Sequence, residues 1–346
     1  MPQISSMTSD TLTDLVSDIL AGGGLSRPQA AALARVIVAG ERDGCKSHGV
    51  YRVEGILRTL KAGKVKGDAM PVLHGGDGAI VRVDARGGFS NLAFEIGLPA
   101  LVERTRALGL AALVINDCTH FSALWHEVEA LAGEGMAGMA MCPSYATVAP
   151  AGGTQPLLGT NPFAFGWPRP GGEPYVFDFA TSVVARGEIE LYRRSGKALP
   201  EGWALDADGQ PTTDPEAALA GAMLTFGSYK GSAISTMIEL LAGAMIDDFT
   251  SREALDWLGT TKLAPKHGEL ILAFDPRRFA AARAQGNPFD RAETLLEAIV
   301  GQGARLPSQR RYAARARSAA TGIVLTSQER AELDRLLREG MAGVSD

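Results

Sequence analysis

Apolar residues recur at helical spacing near both ends of the chain. Within 12–20 they follow the three- and four-residue steps of one helix face, and the glycines at 22–24 end that helix. Ser26 is a suitable N-cap for a second amphipathic helix, which Gly44 ends. Near the other end, the Thr-Ser-Gln-Glu run at 326–329 is a capping box for a final helix lined by leucines. Both ends are therefore predicted to be helical.

Between the two ends, short apolar runs of strand length are interleaved with helical patterns. The predicted strands cover 80–84, 110–115, 139–142, 163–167, 175–179 and 270–274. The predicted helices among them cover 98–108, 121–132 and 232–245. This mixture of elements predicts an α/β or α+β core.

The length and composition exclude several classes of protein. A chain of 346 residues is long for one domain and suggests two lobes around a cleft. The formal net charge of −5 gives no long-range attraction to nucleic acid or to an anionic membrane. The N-terminal residues lack the regions of a signal peptide, and no apolar run approaches the roughly 20 residues of a membrane span. Three sparsely placed cysteines fit reduced thiols, so we expect a cytoplasmic protein whose partner is neither a nucleic acid nor a membrane.

The common nucleotide and metal motifs are absent from the sequence. No Gly-x-Gly-x-x-Gly follows a predicted strand, and no Gly-Lys-Ser/Thr phosphate loop occurs, so a standard Rossmann fingerprint is missing. His126-Glu127 does not continue to a His-Glu-x-x-His zinc motif. We therefore predict that the chain binds no metal.

The stretch from Ser47 to Arg52 combines a proton donor with a carboxylate clamp. His48 can titrate near neutral pH, and the hydroxyl of Ser47 stands beside it. Arg52 can hold a planar carboxylate through two parallel hydrogen bonds. The plainer explanation is a helix end at Gly44 followed by a solvated polar loop.

Other polar clusters lie at the ends of predicted strands. His120 follows the apolar strand 110–115, at the edge where ligands collect in α/β sheets. Thr119 or His120 could instead cap the helix that follows. The Gly-Thr-Asn-Pro run at 159–162 offers hydroxyl and backbone donors, or is simply a turn.

Three further segments have the composition of phosphate or ribose sites. The strand 175–179 runs into small hydroxyl residues, and the nearby carboxylate of Glu188 could orient a histidine. Two glycines surround a lysine at 227–232, just before a predicted helix. The basic run 305–311 in an acidic protein suggests a phosphate such as the 2′-phosphate of NADP. A strand end, a turn and a solvated basic face are the corresponding plainer explanations.

Together, these clusters occur in an order that resembles the malate/L-lactate dehydrogenase family that lacks a Rossmann fold. The similarity covers roughly 12–311 and includes 199–215, a segment typical of that family. His120-Phe121 is followed here by Ser122-Ala123-Leu124-Trp125, where hydroxy-acid members usually continue with glycine and small residues. That continuation resembles the branch of Δ1-piperideine-2-carboxylate/Δ1-pyrroline-2-carboxylate reductases.

The resemblance implies a mixed α/β fold and a homodimer. The nucleotide-binding sheet is expected to be largely antiparallel with flanking helices, and not a standard Rossmann fold. A discontinuous helical domain, 1–58 with 290–346, is expected beside an NADP-binding and substrate domain over 59–289. The implied activity is reduction of a cyclic imino acid to L-proline or L-pipecolate by NADPH, with NADH open as an alternative cofactor.

The resemblance also assigns roles to residues. The catalytic set is expected to be Ser47, His48 and Glu188, with His48 as the proton donor. The substrate set is Arg52, His120 and Thr160. The expected NADP contacts are Asp178, Phe179, Ala180, Arg186, Gly187, Tyr229, Lys230, Arg305, Leu306, Pro307, Ser308, Gln309, Arg310 and Arg311. Two residues depart from the family pattern, because Arg186 stands where histidine is familiar and Glu188 replaces a shorter aspartate.

Two other functions stay open at this point. A 2-hydroxy-acid dehydrogenase of the malate or lactate type would use the same acid and arginine on a C=O bond instead of a C=N bond. A catalytically silent NADP-binding protein would keep the fold without turnover, although Ser47, His48 and Arg52 are all present.

Overall fold

The computed structural model describes residues 5–281 and 287–345. The strands are β1 (Ser5–Met7), β2 (Val72–His74), β3 (Ile80–Asp84), β4 (Leu110–Thr119), β5 (Ala137–Met141), β6 (Phe163–Trp167), β7 (Tyr175–Phe179), β8 (Ala204–Leu205), β9 (Pro211–Thr212), β10 (Ala222–Met223), β11 (Lys266–Phe274) and β12 (Ile323–Leu325). The α-helices are α1 (Ser9–Gly22), α2 (Arg27–Arg42), α3 (Arg52–Lys61), α4 (Ser90–Leu108), α5 (Trp125–Gly133), α6 (Arg186–Ser195), α7 (Pro215–Ala220), α8 (Tyr229–Ala242), α9 (Ser251–Leu258), α10 (Pro276–Ala280), α11 (Pro288–Gly301), α12 (Gln309–Thr321) and α13 (Ser327–Glu339). Short 3-10 helices cover Lys46–His48, Ala244–Ile246 and Gly340–Gly343.

The central sheet of the described chain has seven strands in the order β2-β3-β4-β11-β5-β6-β7. Only the β3–β4 pair is parallel, and the other neighbours are antiparallel. A parallel βαβ sheet of the Rossmann type would need parallel neighbours throughout. The predicted fold class, a mixed α/β protein with a largely antiparallel sheet, is confirmed.

Helices cover both faces of this sheet because its strands are apolar on both sides. On one face, α4 and α5 bury Phe94, Leu101 and Trp125 against Leu113 of β4. On the other face, Ile238 of α8 packs with Val114, Met141 and Leu270. Each such side chain contributes about 1.5–3 kcal/mol by leaving water. This packing fixes the strand ends around which the polar clusters gather.

The two ends of the chain share one hydrophobic cluster. Leu12 of α1, Leu33 of α2 and Ile56 of α3 lie in it together with Leu333 and Leu336 of α13. Strand β1 also pairs with β12 in an antiparallel ladder. The predicted division into two domains stays a prediction, and its residues 1–4, 282–286 and 346 lie outside the described residues. None of the helices in the described ranges combines the length and apolar character needed to cross a membrane.

Two helices begin at residues that the sequence pattern did not indicate. The helix expected over 121–132 starts at Trp125, because the Asp178 carboxylate accepts hydrogen bonds from the backbone N–H groups of Leu124 (2.9 Å) and Trp125 (3.1 Å). The helix expected from residue 98 starts at Ser90 and continues through Pro99. Burial of its apolar face on both sides of the proline outweighs the lost backbone hydrogen bond.

Candidate active site

The Ser47–His48 pair lies on a tight 3-10 turn that packs against the end of α2. Gly40 permits this packing, since a Cβ there would lie 2.5 Å from the His48 carbonyl oxygen. The buried Glu41 carboxylate accepts the Val50 N–H (3.0 Å) and is paired with the Lys46 ammonium. The turn is therefore a fixed structure and not the solvated loop that the sequence left open.

The His48 ring is held by a hydroxyl and an indole. Ser47 Oγ lies 3.1 Å from His48 Nδ1, and the Trp125 ring meets the imidazole edge-on at 6.2 Å between centroids. Burial, reinforced by the positive charge of Arg52, lowers the pKa of His48 to about 3. The imidazole is therefore neutral in the ligand-free protein at neutral pH.

Arg52 lies at the first position of α3 and faces the same space. Its Nε donates a 2.6 Å hydrogen bond to the Ser47 carbonyl oxygen, and its guanidinium lies 4.1 Å above the Phe121 ring. One edge of the guanidinium is thus used to hold the turn. Within the described chain no carboxylate pairs with Arg52, so its remaining donors are available to an anionic ligand.

Tyr145 was not predicted as a site residue. Its hydroxyl donates to the Thr261 carbonyl oxygen (3.1 Å), and Arg186 Nη2 donates to the Thr261 hydroxyl (3.1 Å). Burial raises the pKa of Tyr145, while the charges of Arg186 and Arg52 act in the opposite direction. Both arginines are therefore within electrostatic reach of this phenol. The polar run Pro143-Ser144-Tyr145, directly after a predicted strand, was the signal that could have revealed it.

His120 is buried beneath the pocket at the end of β4. Its Nε2 lies 3.2 Å from Ser122 Oγ, and its Nδ1 lies 3.8 Å from Cys142 Sγ. Burial holds the pKa of His120 well below its usual value, and the nearby His267, His48 and Arg52 act in the same direction. The structure therefore brings His120 close to His48 and Arg52, as the sequence predicted.

Two buried side-chain groups around His120 have the spacing of cation donors. The donor atoms of His120, Cys142 and His267 lie within 4.8 Å of one another, and so do those of His120, Glu127 and Glu269. Burial raises the pKa of Cys142 and of both glutamates, which opposes the ionised forms that bind cations. The absence of a bound metal stays a prediction.

Thr160 belongs to a rigid segment and not to a simple surface turn. Its carbonyl oxygen accepts the Thr181 N–H (2.8 Å) and hydroxyl (3.1 Å). The adjacent Asn161, with φ of 32°, is buried and donates to Glu239 Oε1 (2.7 Å), while Ser251 Oγ donates back to its amide oxygen (3.0 Å). The half-buried Thr160 side chain is therefore presented on a firmly held backbone.

Glu188 is exposed in the first turn of α6, next to the exposed Gly187. Among the described residues its carboxylate takes part in no hydrogen bond and no salt bridge. Nothing in a single chain joins it to His48, and its role in the relay stays a prediction. Arg186, which precedes it, is directed towards Thr261 and the Leu219 carbonyl.

The predicted cofactor residues divide into exposed and structural ones. Phe179 is exposed, with its ring stacked on Phe177 at 5.2 Å, and Tyr229 and Lys230 are exposed at the start of α8. Asp178 instead caps α5, and burial raises the pKa of its carboxyl group to about 6. Ala180 follows as a half-buried residue between the two types.

The basic run 305–311 shows the same division. Arg305 and Arg310 are exposed, whereas Arg311 is buried between Asp43 (3.1 Å) and Glu129 (2.5 Å). Ser308 is likewise occupied, because its hydroxyl donates to the Val176 carbonyl oxygen (2.7 Å). The run borders a cavity of about 300 Å³, lined by Leu306, Pro307, Gln309, Arg169, Tyr175 and Tyr312.

Comparison with known proteins identifies the family. The model of the malate/L-lactate dehydrogenase family matches residues 7–334. The chain belongs to this family. It is 68% identical to a Delta(1)-pyrroline-2-carboxylate reductase of Agrobacterium fabrum over 346 residues, which is 100% of both chains.

Further relatives of this family carry related names. The chain is 55% identical to a Delta(1)-pyrroline-2-carboxylate/Delta(1)-piperideine-2-carboxylate reductase of Pseudomonas aeruginosa, over 96% of this chain and 99% of that protein. The crystal structure of delta1-piperideine-2-carboxylate reductase from Pseudomonas syringae superposes with a TM-score of 0.90 at 41% identity, covering 96% of this chain and 99% of the other. The resemblance to this family and to its imine-reducing branch, predicted from the sequence, is confirmed.

Proposed function

We propose that this protein reduces cyclic imino acids, converting Δ1-pyrroline-2-carboxylate to L-proline and Δ1-piperideine-2-carboxylate to L-pipecolate. The observation that carries this proposal is the pairing of His48 and Arg52 on one fixed turn. The chain shows this pairing along with full-length 68% identity to a protein named for the same reaction. A cyclic imino acid presents a carboxylate beside a C=N bond, and this pair supplies one group for each.

The residues that face solvent fit a reduced nicotinamide cofactor, for which we propose NADPH. Arg305, Arg310 and Lys230 are exposed cations in a protein of net charge −5, as a 2′-phosphate and a pyrophosphate require. The cavity beside 306–309 offers space next to these arginines. When bound, the cofactor supplies a hydride to the imine carbon.

The chain's own residues then bind the substrate and provide the proton. Arg52 holds the carboxylate, with the Thr160 hydroxyl as a second contact, and so orients one face of the C=N bond. The bound carboxylate offsets the Arg52 charge, which lowers the pKa of His48 in the free protein. The pKa of His48 therefore rises on binding, and the imidazole can hold a proton next to the ring nitrogen. Ser47 fixes the orientation of this ring through its 3.1 Å contact with Nδ1.

The decisive experiment follows NADPH oxidation with Δ1-pyrroline-2-carboxylate, in parallel with pyruvate and oxaloacetate. Rapid oxidation with the cyclic imine and little with the oxo acids is the expected result. The reverse pattern would assign the protein as a 2-hydroxy-acid dehydrogenase. Activity on none of these substrates would favour a silent nucleotide-binding protein.

We further propose a homodimer located in the cytoplasm. Helix α8 exposes an apolar row, in which Leu240 is 58% and Met245 is 60% accessible, and such a row is covered in most soluble proteins. Cys45, Cys118 and Cys142 are all unpaired thiols, which suits a reducing compartment.

A further inference from the structure

Two glutamates lie buried beneath the candidate active site without partners for their oxygens. Glu127 on α5 is 1% accessible and Glu269 on β11 is 0% accessible. Among the described residues, Glu127 Oε2 and both carboxyl oxygens of Glu269 accept or donate no hydrogen bond. Sequence patterns did not indicate this pair, because the two residues are far apart in the chain and meet only when α5 packs on the sheet.

The surroundings of the pair contain no compensating cation. The titratable groups that face it from the neighbouring elements are His120, His267, Cys118, Cys142 and Asp178. Two ionised carboxylates in such a site would be strongly unfavourable, since each is desolvated and each repels the other. Burial raises the pKa of Glu269 to about 8, with the nearby Ser90 hydroxyl acting in the opposite direction, and burial together with Glu269 raises that of Glu127.

His120 connects this pair to the substrate pocket. A ring nitrogen of His120 and the carboxyl oxygens of the two glutamates lie within 4.8 Å of one another, a gap that one water or a small rotation can bridge. On its other side, His120 is near enough to His48 and Arg52 for their charges to lower its pKa. His48 itself is neutral in the free protein, so the pocket needs another source of protons.

We propose that Glu127 and Glu269 form a buried acid pair that holds at least one proton at neutral pH and passes it through His120 towards the substrate nitrogen. This proposal rests on the proposed imine reduction. In each turnover the carboxyl O–H bond breaks and an N–H bond forms on His120, which gives a proton to the imine nitrogen as the hydride reaches carbon. Solvent returns a proton to the pair after product release. The glutamates act through His120 and are therefore positioning residues.

The first test detects the stored proton directly and does not depend on activity. Infrared difference spectroscopy of the full-length protein at neutral pH, in H2O and D2O, should show the carbonyl stretch of a protonated carboxylic acid. Glu269→Gln should abolish or shift this band, whereas Glu103→Gln, at an exposed position on α4, should leave it unchanged. The absence of any protonated carboxyl band that depends on Glu127 or Glu269 would overturn the proposal.

The second test uses the pH dependence of turnover. In Glu269→Gln, kcat should fall by at least about tenfold with little change in KM, and the alkaline limb of the pH profile should move to lower pH. Glu269→Asp, which keeps a proton-holding carboxyl group, should restore part of the rate and of the limb. A folded Glu269→Gln protein with the wild-type pH profile would contradict proton delivery.

Two further outcomes separate this proposal from its neighbours. Stoichiometric metal in the purified protein that disappears in Glu269→Gln would show that the pair holds a cation, and would overturn the proposal. If the wild type reduces only oxo acids, the proposed function fails but the acid pair is tested on that reaction, where the proton goes to oxygen. A wild type without turnover on any of these substrates would overturn the delivery step while the infrared test decides the stored proton.

Discussion

At the residue scale, burial decides which side chains carry protons. His48→Ala should reduce kcat by at least about 10²-fold, since a positioned general acid typically contributes about 10²–10⁴ in rate. NADPH binding, measured by the fluorescence of the bound cofactor, should survive because His48 is expected to face the substrate. His74→Ala, at an exposed histidine on β2, is the matched control. Near-normal turnover in His48→Ala would remove His48 from the donor role.

Arg52 tests the other half of the same turn. Arg52→Lys should mainly raise KM for the imino acid, because an ammonium cannot make two parallel hydrogen bonds to a carboxylate. It also loses the planar contact with Phe121 and the bond to the Ser47 carbonyl oxygen. Steady-state kinetics on this variant and on Arg317→Lys, at an exposed position, give the comparison. An unchanged KM would contradict the carboxylate contact.

At the element scale, a buried ionic network joins α2, α5 and α12. The Asp43 side chain, with 0% exposure, is paired with Arg315 (2.6 Å) and Arg311 (3.1 Å), and both arginines also reach Glu129. Asp43→Asn should lower the free energy of unfolding by about 3–5 kcal/mol, because it leaves buried arginines undercompensated. Urea denaturation measures this change. Asp256→Asn, which breaks an exposed pair with Arg252, should cost no more than about 1 kcal/mol.

The same network predicts how stability depends on pH. Burial of Asp43 opposes its ionisation, but hydrogen bonds from Arg315 and Arg42 outweigh burial and lower its pKa. A carboxyl group with a lowered folded-state pKa stabilises the protein above its unfolded pKa, near 4, and loses this contribution as the pH falls through the folded value. Wild-type stability should therefore fall more steeply below about pH 4 than that of Asp43→Asn. Parallel slopes in urea titrations over this range would contradict the assignment.

The elements also show what a sequence can and cannot reveal. The strands 163–167 and 175–179 were predicted with the bounds that the structure has, because local apolar patterns define them. The start of α5 was wrong, since its cap is Asp178, which lies more than fifty residues further along the chain. His48 and Arg52 were found because they lie on one turn, whereas Tyr145, Glu127 and Glu269 reach the site only through tertiary packing. The place of Glu188 in the relay stays a prediction because nothing in one chain holds it.

At the scale of the whole molecule, the exposed row on α8 leads to a prediction about assembly. Met237, Leu240 and Met245 are apolar residues that a monomer would leave in water, and their burial between two copies would stabilise a dimer. Leu240→Glu places a charge in that surface and should convert a dimeric wild type into a monomer, because an unpaired charge is costly to desolvate. Size-exclusion chromatography with light scattering measures the mass. Leu295→Glu, at a similarly exposed position on α11, should remain dimeric. A monomeric wild type, or a Leu240→Glu protein that stays dimeric, would show that this row serves another purpose.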